Sequence, residues 1–298
     1  MNLFDMIFYK YTGAGNDFLI ADNRRGDLRM DRSGIVGICD RHYGVGADGV
    51  MFLGAGRDGY DFTMDYYNSD GSGGMMCGNG GRCIVAFASY LGLQPSSADG
   101  RWTFLAPDGP HEAFILGDAG RNTKTVRLKM KDISEIKNYP SVSSVPGISG
   151  WFVDTGTRHF VTFVRSDVDA SFVDSTGRLL RHSGEFAPSG VNVNFVQKGN
   201  PLKVRTFEKG VEAETCACGT GVVASAAAAF LEGAGPSSAC PETGSVHYDV
   251  RALNDSLAVD FVPSPSARGL HGNVSEACFT DVWLTGPATY VAEVKVLP

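Results

Sequence analysis

No uninterrupted apolar run in the 298-residue chain is long enough to cross a bilayer as a helix; the longest candidate, around Val222–Leu231, is mostly alanine and reads as a buried helix. The opening "MNLFDMIFYKYTG" lacks a basic segment followed by an apolar core, so no export signal is expected. An excess of positive charge is also missing. The 26 basic residues face 33 acidic ones, which gives a net charge of −7 and a pI near 5.4. That balance argues against a general binder of nucleic-acid backbone, and the lack of a span argues against a membrane protein. Paired Cys-x-x-Cys spacings are absent too, which removes the usual zinc frameworks, so no metal site is expected. The chain does hold seven cysteines. An odd number without an export signal points to reduced thiols in the cytoplasm. With 43% hydrophobic residues, a chain of this size can bury roughly 75% of its surface and needs no disulfide or metal staple.

What is present is a repeated pattern. "MMCGNGGRCIVAFASYLG" (Met75 to Gly92) and "ACGTGVVASAAAAFLEG" (Ala217 to Gly233) each place Cys-Gly-x-Gly ahead of a run of small and apolar residues and end at a glycine. Cys77 and Cys218 stand 141 residues apart, close to half the chain. A second pair matches across the same interval, "YTGAGNDFLIAD" and "DTGTRHFVTFV". Phe18 precedes Cys77 by 59 residues and Phe160 precedes Cys218 by 58, so the two phenylalanines are taken as equivalent and the chain as an internal duplication. Each half supplies one thiol.

Each Cys-Gly-x-Gly is predicted to open a prominent helix that stops at Gly92 or Gly233. Shorter helices are expected at Ser33–Arg41 and around Asp174–His182. Strand-like runs of β-branched and aromatic residues occupy Tyr60–Asn68, Thr125–Met130, Trp151–Gly156, His159–Val164, Val191–Gln197 and Leu202–Glu208. Asn138–Gly150 and Gly233–Ser245, rich in Pro, Ser and Gly, read as loops. Strands outnumber helices, so the fold class is α+β, with a mixed sheet wrapped on a central helix in each half.

Two thiols at two helix starts define a chemistry. A helix N-terminus presents backbone N–H groups and partial positive charge, which stabilise a thiolate placed there. The glycines let a ligand approach closely enough for the same N–H groups to hold a carboxylate. Two such ends suit inversion of an amino acid's α-carbon, one thiolate removing the α-proton from one face while the other thiol delivers a proton to the opposite face. The helix-end dipoles would stabilise charge developing on the carboxylate.

With these motifs, the chain resembles diaminopimelate epimerases, cofactor-independent enzymes that interconvert LL- and meso-2,6-diaminopimelate on the route to lysine and peptidoglycan. The resemblance rests on "GAGNDF" (Gly13–Phe18), "YGVGADG" (Tyr43–Gly49), "YYNSDGS" (Tyr66–Ser72), "MCGNGGRC" (Met76–Cys83), "NVNFV" (Asn192–Val196), "FEKGVEAETCACGTG" (Phe207–Gly221) and "LTGPA" (Leu284–Ala288), in that order. It implies two pseudo-symmetric domains, residues 1–120 with 287–298 and residues 121–286, each a sheet or barrel curled around a central helix, with substrate in the cleft between them. It implies that Cys77 and Cys218 are the acid/base pair, that the backbone at Gly78, Asn79, Gly219 and Thr220 holds the reacting carboxylate, and that Asn16, Asn68, Asn192 and Glu208 contact substrate. It further implies that His159 and Glu208 tune the thiols, that no cofactor is needed, and that the protein is a cytoplasmic homodimer acting on a small amino acid. Two positions depart from the family pattern. Many members have Gly-Asn-Pro-His where this chain has Gly156-Thr157-Arg158-His159, and Glu-Arg-Gly where it has Glu208-Lys209-Gly210. Thr157 and Lys209 would then meet the distal end of substrate without the bidentate grip of arginine.

The same residues admit other readings. "GAGNDF" and "CGNGG" are weak as dinucleotide loops, because no strand–loop–helix with a distal acidic residue accompanies them. Cys83 and Cys216 read as neighbours, and Cys39, Cys240 and Cys278 as ordinary small residues. His42, His111, His182, His247 and His271 show no partner in sequence. Asn68 and Asn192 could be turn residues bonding their own backbone, and Glu208 a hairpin corner. A racemase of another amino acid is the competing enzyme, and a catalytically silent amino-acid binder the competing class.

Overall fold

The alternating β-branched and aromatic runs of the first half fold into hairpins, and their order of pairing determines where the first cysteine-led helix lies. The computed structural model describes residues 6–74, 76–268 and 278–296. The chain forms two compact units, Met1–Lys129 with Thr285–Pro298, and Met130–Leu284.

In the first unit the elements run β1 (Ile7–Gly13), β2 (Asn16–Asn23), α1 (Arg32–Cys39), β3 (Gly49–Ala55), β4 (Phe62–Asn68), α2 (Gly78–Tyr90), β5 (Trp102–Ala106), β6 (Gly109–Gly120) and β7 (Thr123–Lys129). Neighbours pair in sequence order, antiparallel except for the parallel β2–β3 and β4–β5 ladders. The last strand of the chain (Phe279–Lys295) bonds to β7 at one edge and to β1 at the other, which closes eight strands into a ring. Helix α2 fills it, with every residue from Gly78 to Ala88 buried. Outside the sheet, Ile35 and Ile38 of α1 pack on Leu19, Ala21, Val50 and Phe52. The expected boundary at residue 120 is corrected: Thr123–Lys129 is the return arm of the β6 hairpin and stays with the first unit, and the returning segment starts at Thr285 rather than Pro287.

The second unit repeats the plan with β8 (Glu135–Tyr139), β9 (Gly150–Asp154), β10 (Arg158–Val164), α3 (Ala170–Arg181), β11 (Asn192–Gln197), β12 (Leu202–Glu208), β13 (Ala213–Thr215), α4 (Gly219–Leu231), β14 (Ser238–Ala239), β15 (Val246–Arg251), β16 (Ser256–Pro263) and the start of β17 (Phe279–Lys295). Strands β8 to β12 pair successively, with β10–β11 parallel, and β12 continues through a parallel ladder to β15 and then β16. Helix α4 packs against β9, β10, β11, β12, β15 and β16, while α3 lies against β11, β12 and β13. The alanines that make α4 a strong helix former are also small enough to let this sheet close on it.

Both central helices stop as their glycines predict. Gly92 (φ +79°) and Gly233 (φ +69°) take left-handed backbone, and the amides of Leu93 and Ala234 reach back to Ala88 and Ala229. The short helices appear at Arg32–Cys39 and Ala170–Arg181, the second starting earlier than expected because Asp169 caps it through the Phe172 amide. One expectation needs correction. Gly80 of α2 faces Phe18, whereas Gly221, at the matching position of α4, faces His159. Phe160 points the other way, into the cluster with Val173 and Leu180 of α3. A shift of one residue along a strand exchanges its faces, so the counterpart of Phe18 is His159, not Phe160.

Candidate functional site

Cys77 and Cys218 are the N-cap residues of α2 and α4, both in extended backbone (φ −85°, ψ 132° and φ −101°, ψ 111°). Their carbonyls accept the first helical hydrogen bonds, from Gly81 (2.7 Å) and Val222 (2.9 Å). The amides of Gly78, Asn79 and Gly80, and of Gly219, Thr220 and Gly221, therefore form the first turn beside each sulfur, where the helix dipole favours negative charge. Cys77 is partly exposed and Cys218 is buried.

In the first unit, Asn79 is buried and ties the helix start to the β1–β2 turn. Its side-chain amide donates to Asn16 Oδ1 at 2.5 Å, and Asn16 donates in turn to Asp48 at 2.9 Å. Gly13 permits the close approach: a Cβ there would stand 2.8 Å from the Asn79 carbonyl oxygen. Asp48 and Asp17 share Arg41, and the guanidinium and the Lys10 ammonium beside Asp17 hold its carboxyl below its ordinary value, against the opposing effect of partial burial. Arg82 lies fully buried on α2 and donates to Asn79 Oδ1 at 2.8 Å and to the Gly78 carbonyl at 3.4 Å. Asn68 stands apart from this group at the end of β4, where its side chain donates to Ser72 Oγ at 3.0 Å.

In the second unit the groups converge more tightly. Cys218 Sγ lies 3.3 Å from Thr220 Oγ1, which is 3.0 Å from both His159 Nε2 and Thr157 Oγ1. Thr157 is also 2.9 Å from His159 Nε2, so its hydroxyl joins the network around Cys218. His159 is fully buried, and burial pushes its imidazole down to about 3, leaving it neutral at physiological pH. Asn192 ties β10 and β11 to the turn that follows β12: its amide nitrogen donates to the Arg158 carbonyl (3.2 Å) and its oxygen accepts from the Lys209 backbone (2.8 Å). Glu208 accepts from Thr215 at 2.9 Å, and the Lys209 side chain is exposed.

Sequence reasoning missed Asp48, Arg82, Asn194 and Thr206. Asn194 was within reach, since it sits two residues beyond Asn192 and so on the same face of β11. Arg82 stood out as the one charged residue in the Cys77-led helix. Cys83 is fully buried and its thiol is pushed up to about 12, in keeping with a packing role. Three histidines do have partners: His111 contacts Asp108, His182 contacts Glu212, and His247 lies between Asp249 and Asp260. His271 is outside the described residues.

Fold and site together define an α+β protein of duplicated plan, each unit wrapping a helix that begins at a cysteine. Comparison with known proteins agrees. A family model described as diaminopimelate epimerase matches residues 8–120 and 151–251. The diaminopimelate epimerase of Flavobacterium psychrophilum is 35% identical over 295 residues, covering 98% of this chain and 100% of that protein. That of Chlorobaculum tepidum is 40% identical over 227 residues, covering 74% of this chain and 82% of its own. Among solved structures, a Bacillus anthracis phenazine biosynthesis protein of the PhzF family superposes with a TM-score of 0.67 at 14% identity, covering 98% of this chain and 99% of that one. A hydroxyproline epimerase from Agrobacterium vitis gives a TM-score of 0.65 at 14% identity, covering 97% and 91%. The chain belongs to the diaminopimelate epimerase family.

Proposed function

We propose that Cys77 and Cys218 are the acid/base pair of a diaminopimelate epimerase. As a member of this family the chain is an isomerase that interconverts LL- and meso-2,6-diaminopimelate, a step towards lysine and peptidoglycan. The observation that carries the assignment of the pair is that both units place a cysteine at the N-cap of their buried central helix, followed by a glycine-containing first turn. One thiolate takes the α-proton and becomes a thiol; the other thiol gives its proton to the opposite face and becomes a thiolate. The product is the inverted centre, with no net gain or loss of protons, and the reverse reaction exchanges the roles. The first-turn amides bind the substrate carboxylate and stabilise the charge that builds up as the α-proton leaves. Asn16, Asn68, Asn192, Glu208, Thr157 and Lys209 are the candidate contacts to the remainder of the substrate. Of these, Asn192 and Thr157 also serve the internal hydrogen bonding of the second unit.

An odd number of cysteines without an export signal supports a reducing, cytoplasmic setting, and the family resemblance supports a homodimer, which sedimentation equilibrium would check. The test of the two-thiol mechanism is proton NMR in D₂O with separate Cys77→Ser and Cys218→Ser variants. Each variant is expected to lose inversion by about 10³-fold, within the range for general acid–base catalysis, and to retain slow α-deuterium exchange with opposite isomers of the substrate. Unchanged turnover in both variants would refute the mechanism. Inversion of other amino acids but not of diaminopimelate would favour the racemase alternative.

A further inference from the structure

The buried network beside Cys218 has a direction that can be read from hydrogen-bonding capacity alone. It begins at Asn194, a fully buried residue of β11 that lies against Gly221 in the first turn of α4 and is linked to Cys218 through His159 and Thr220. The Phe160 carbonyl can only accept a hydrogen bond, and it lies 3.4 Å from the side-chain nitrogen of Asn194. Thr206 Oγ1 donates to the side-chain oxygen of Asn194 at 2.9 Å. The Phe160 carbonyl fixes the amide in one orientation, in which the Thr206 hydroxyl serves as donor, so the NH₂ group of Asn194 faces His159 Nδ1 at 3.1 Å. Nδ1 must then accept, and the single proton of a neutral imidazole must sit on Nε2.

From Nε2 the direction continues outward. The Nε2 proton points at the hydroxyl oxygens of Thr220 (3.0 Å) and Thr157 (2.9 Å), and Thr157 donates to Thr220. With its oxygen accepting from these groups, Thr220 directs its own proton to Cys218 Sγ, 3.3 Å away. We propose that Asn194 is a positioning residue that sets the His159 tautomer, so that the chain Thr206–Asn194–His159–Thr220 donates towards Cys218 and favours its thiolate. The opposite tautomer would set an imidazole N–H against the amide NH₂ and draw the Thr220 proton to Nε2, away from sulfur. The first unit has no counterpart to this relay among its described residues, because Phe18 and Met51 occupy the corresponding places beneath Gly80.

The proposal rests on the acid/base role of Cys218, but its tests do not use turnover alone. Nitrogen-15 NMR of histidine-labelled, reduced protein reports the tautomer directly, with the His159 signals assigned by their loss in His159→Gln. The expected result is an unprotonated Nδ1 and a protonated Nε2; a protonated Nδ1 overturns the proposal without any variant of Asn194. In Asn194→Asp the donor becomes an acceptor, and the proton should move to Nδ1. Alkylation of Cys218 by iodoacetamide, followed peptide by peptide, should then slow about tenfold at neutral pH, as expected for one unit in thiol acidity, while that of Cys77 is unchanged. Thr206→Val, which keeps shape but removes the donor, should slow Cys218 by a smaller factor. Equal alkylation of Cys218 with and without Asn194→Asp would also overturn the proposal. If instead Cys218→Ser retained full turnover, the catalytic reading would fail while the tautomer measurement still stood.

Discussion

The two central helices start alike but rest on different floors. Beneath Gly80 of α2 lie the Phe18 ring and the Met51 thioether, both buried and apolar. Beneath Gly221 of α4 lie His159 and Asn194, both buried and polar. Two residues further on the contrast reverses, since α2 carries the buried guanidinium of Arg82 where α4 has Val223. The same backbone device is thus supported by a cation bound to helix-start oxygens in one unit and by a neutral relay of donors in the other. A duplicated fold can keep its frame while each copy solves the electrostatics of its helix end separately, and the proposed two-thiol inversion calls for such asymmetry, with one thiol charged while the other is neutral.

The sharpest way to expose this difference is pH. The His159 imidazole is held at about 3 by burial, against an ordinary 6.5. Between those values the unfolded chain binds a proton that the folded chain refuses, so stability rises with pH across this window. The contribution is complete above 6.5 and is lost as pH falls towards 3. In full it is on the order of 5 kcal/mol, with roughly half gone by about pH 4.7. Hydrogen exchange of the α4 amides, corrected for intrinsic rates, should show this loss of protection, with α2 changing much less. His159→Gln should abolish the pH-dependent part in α4. Equal acid sensitivity of the two helices would erase the proposed contrast between their floors.

A paired substitution tests the floors sterically. A Cβ added at Gly221 would lie 2.4 Å from Asn194 Oδ1 and 3.3 Å from the His159 ring, neither of which can move without breaking buried hydrogen bonds. At Gly80 the nearest atom is Met51 Sδ at 3.3 Å, on a chain that can yield. Gly221→Ala should therefore cost about 2–3 kcal/mol in urea unfolding. Gly80→Ala should stay within about 1 kcal/mol of the parent, because the helix propensity of alanine offsets the adjustment of Met51. The reverse order would mean that the polar floor is the more compliant one.

Much of this plan was legible in the sequence, and the reasons are local. The Cys-Gly-x-Gly starts and the glycine stops are chain-local signals, and they located both helices to within about a residue or two, the usual tolerance of helix ends. The one-residue error that matched Phe18 with Phe160 had a different origin. Two phenylalanines looked equivalent because chemistry was matched before strand face, and only packing against a helix decides which alternate residue points inward. Asn194 and Arg82 were missed because a polar residue in an apolar run carries no sign of being buried and satisfied. Their roles depend on partners far along the chain, Thr206 and Phe160 for the one and Pro287 for the other.

The smallest expected effect separates the buried relay from the exposed rim of the second unit. Lys209 follows Glu208 at the end of β12, and only its backbone amide is tied down, to Asn192 at 2.8 Å. Its ammonium is exposed, so an ion pair with a substrate carboxylate would form in water and be screened by salt. Such pairs contribute at most about 1 kcal/mol, equivalent to roughly fivefold in affinity. Lys209→Ala should therefore raise KM for diaminopimelate by no more than about fivefold at low salt, leave kcat unchanged, and show little effect in high salt. Lys209→Arg should lower KM slightly, because the guanidinium fork can take both oxygens of a carboxylate. A large fall in kcat in Lys209→Ala would mean that the rim takes part in the chemistry, and the division between a catalytic interior and a binding edge in this unit would have to be redrawn.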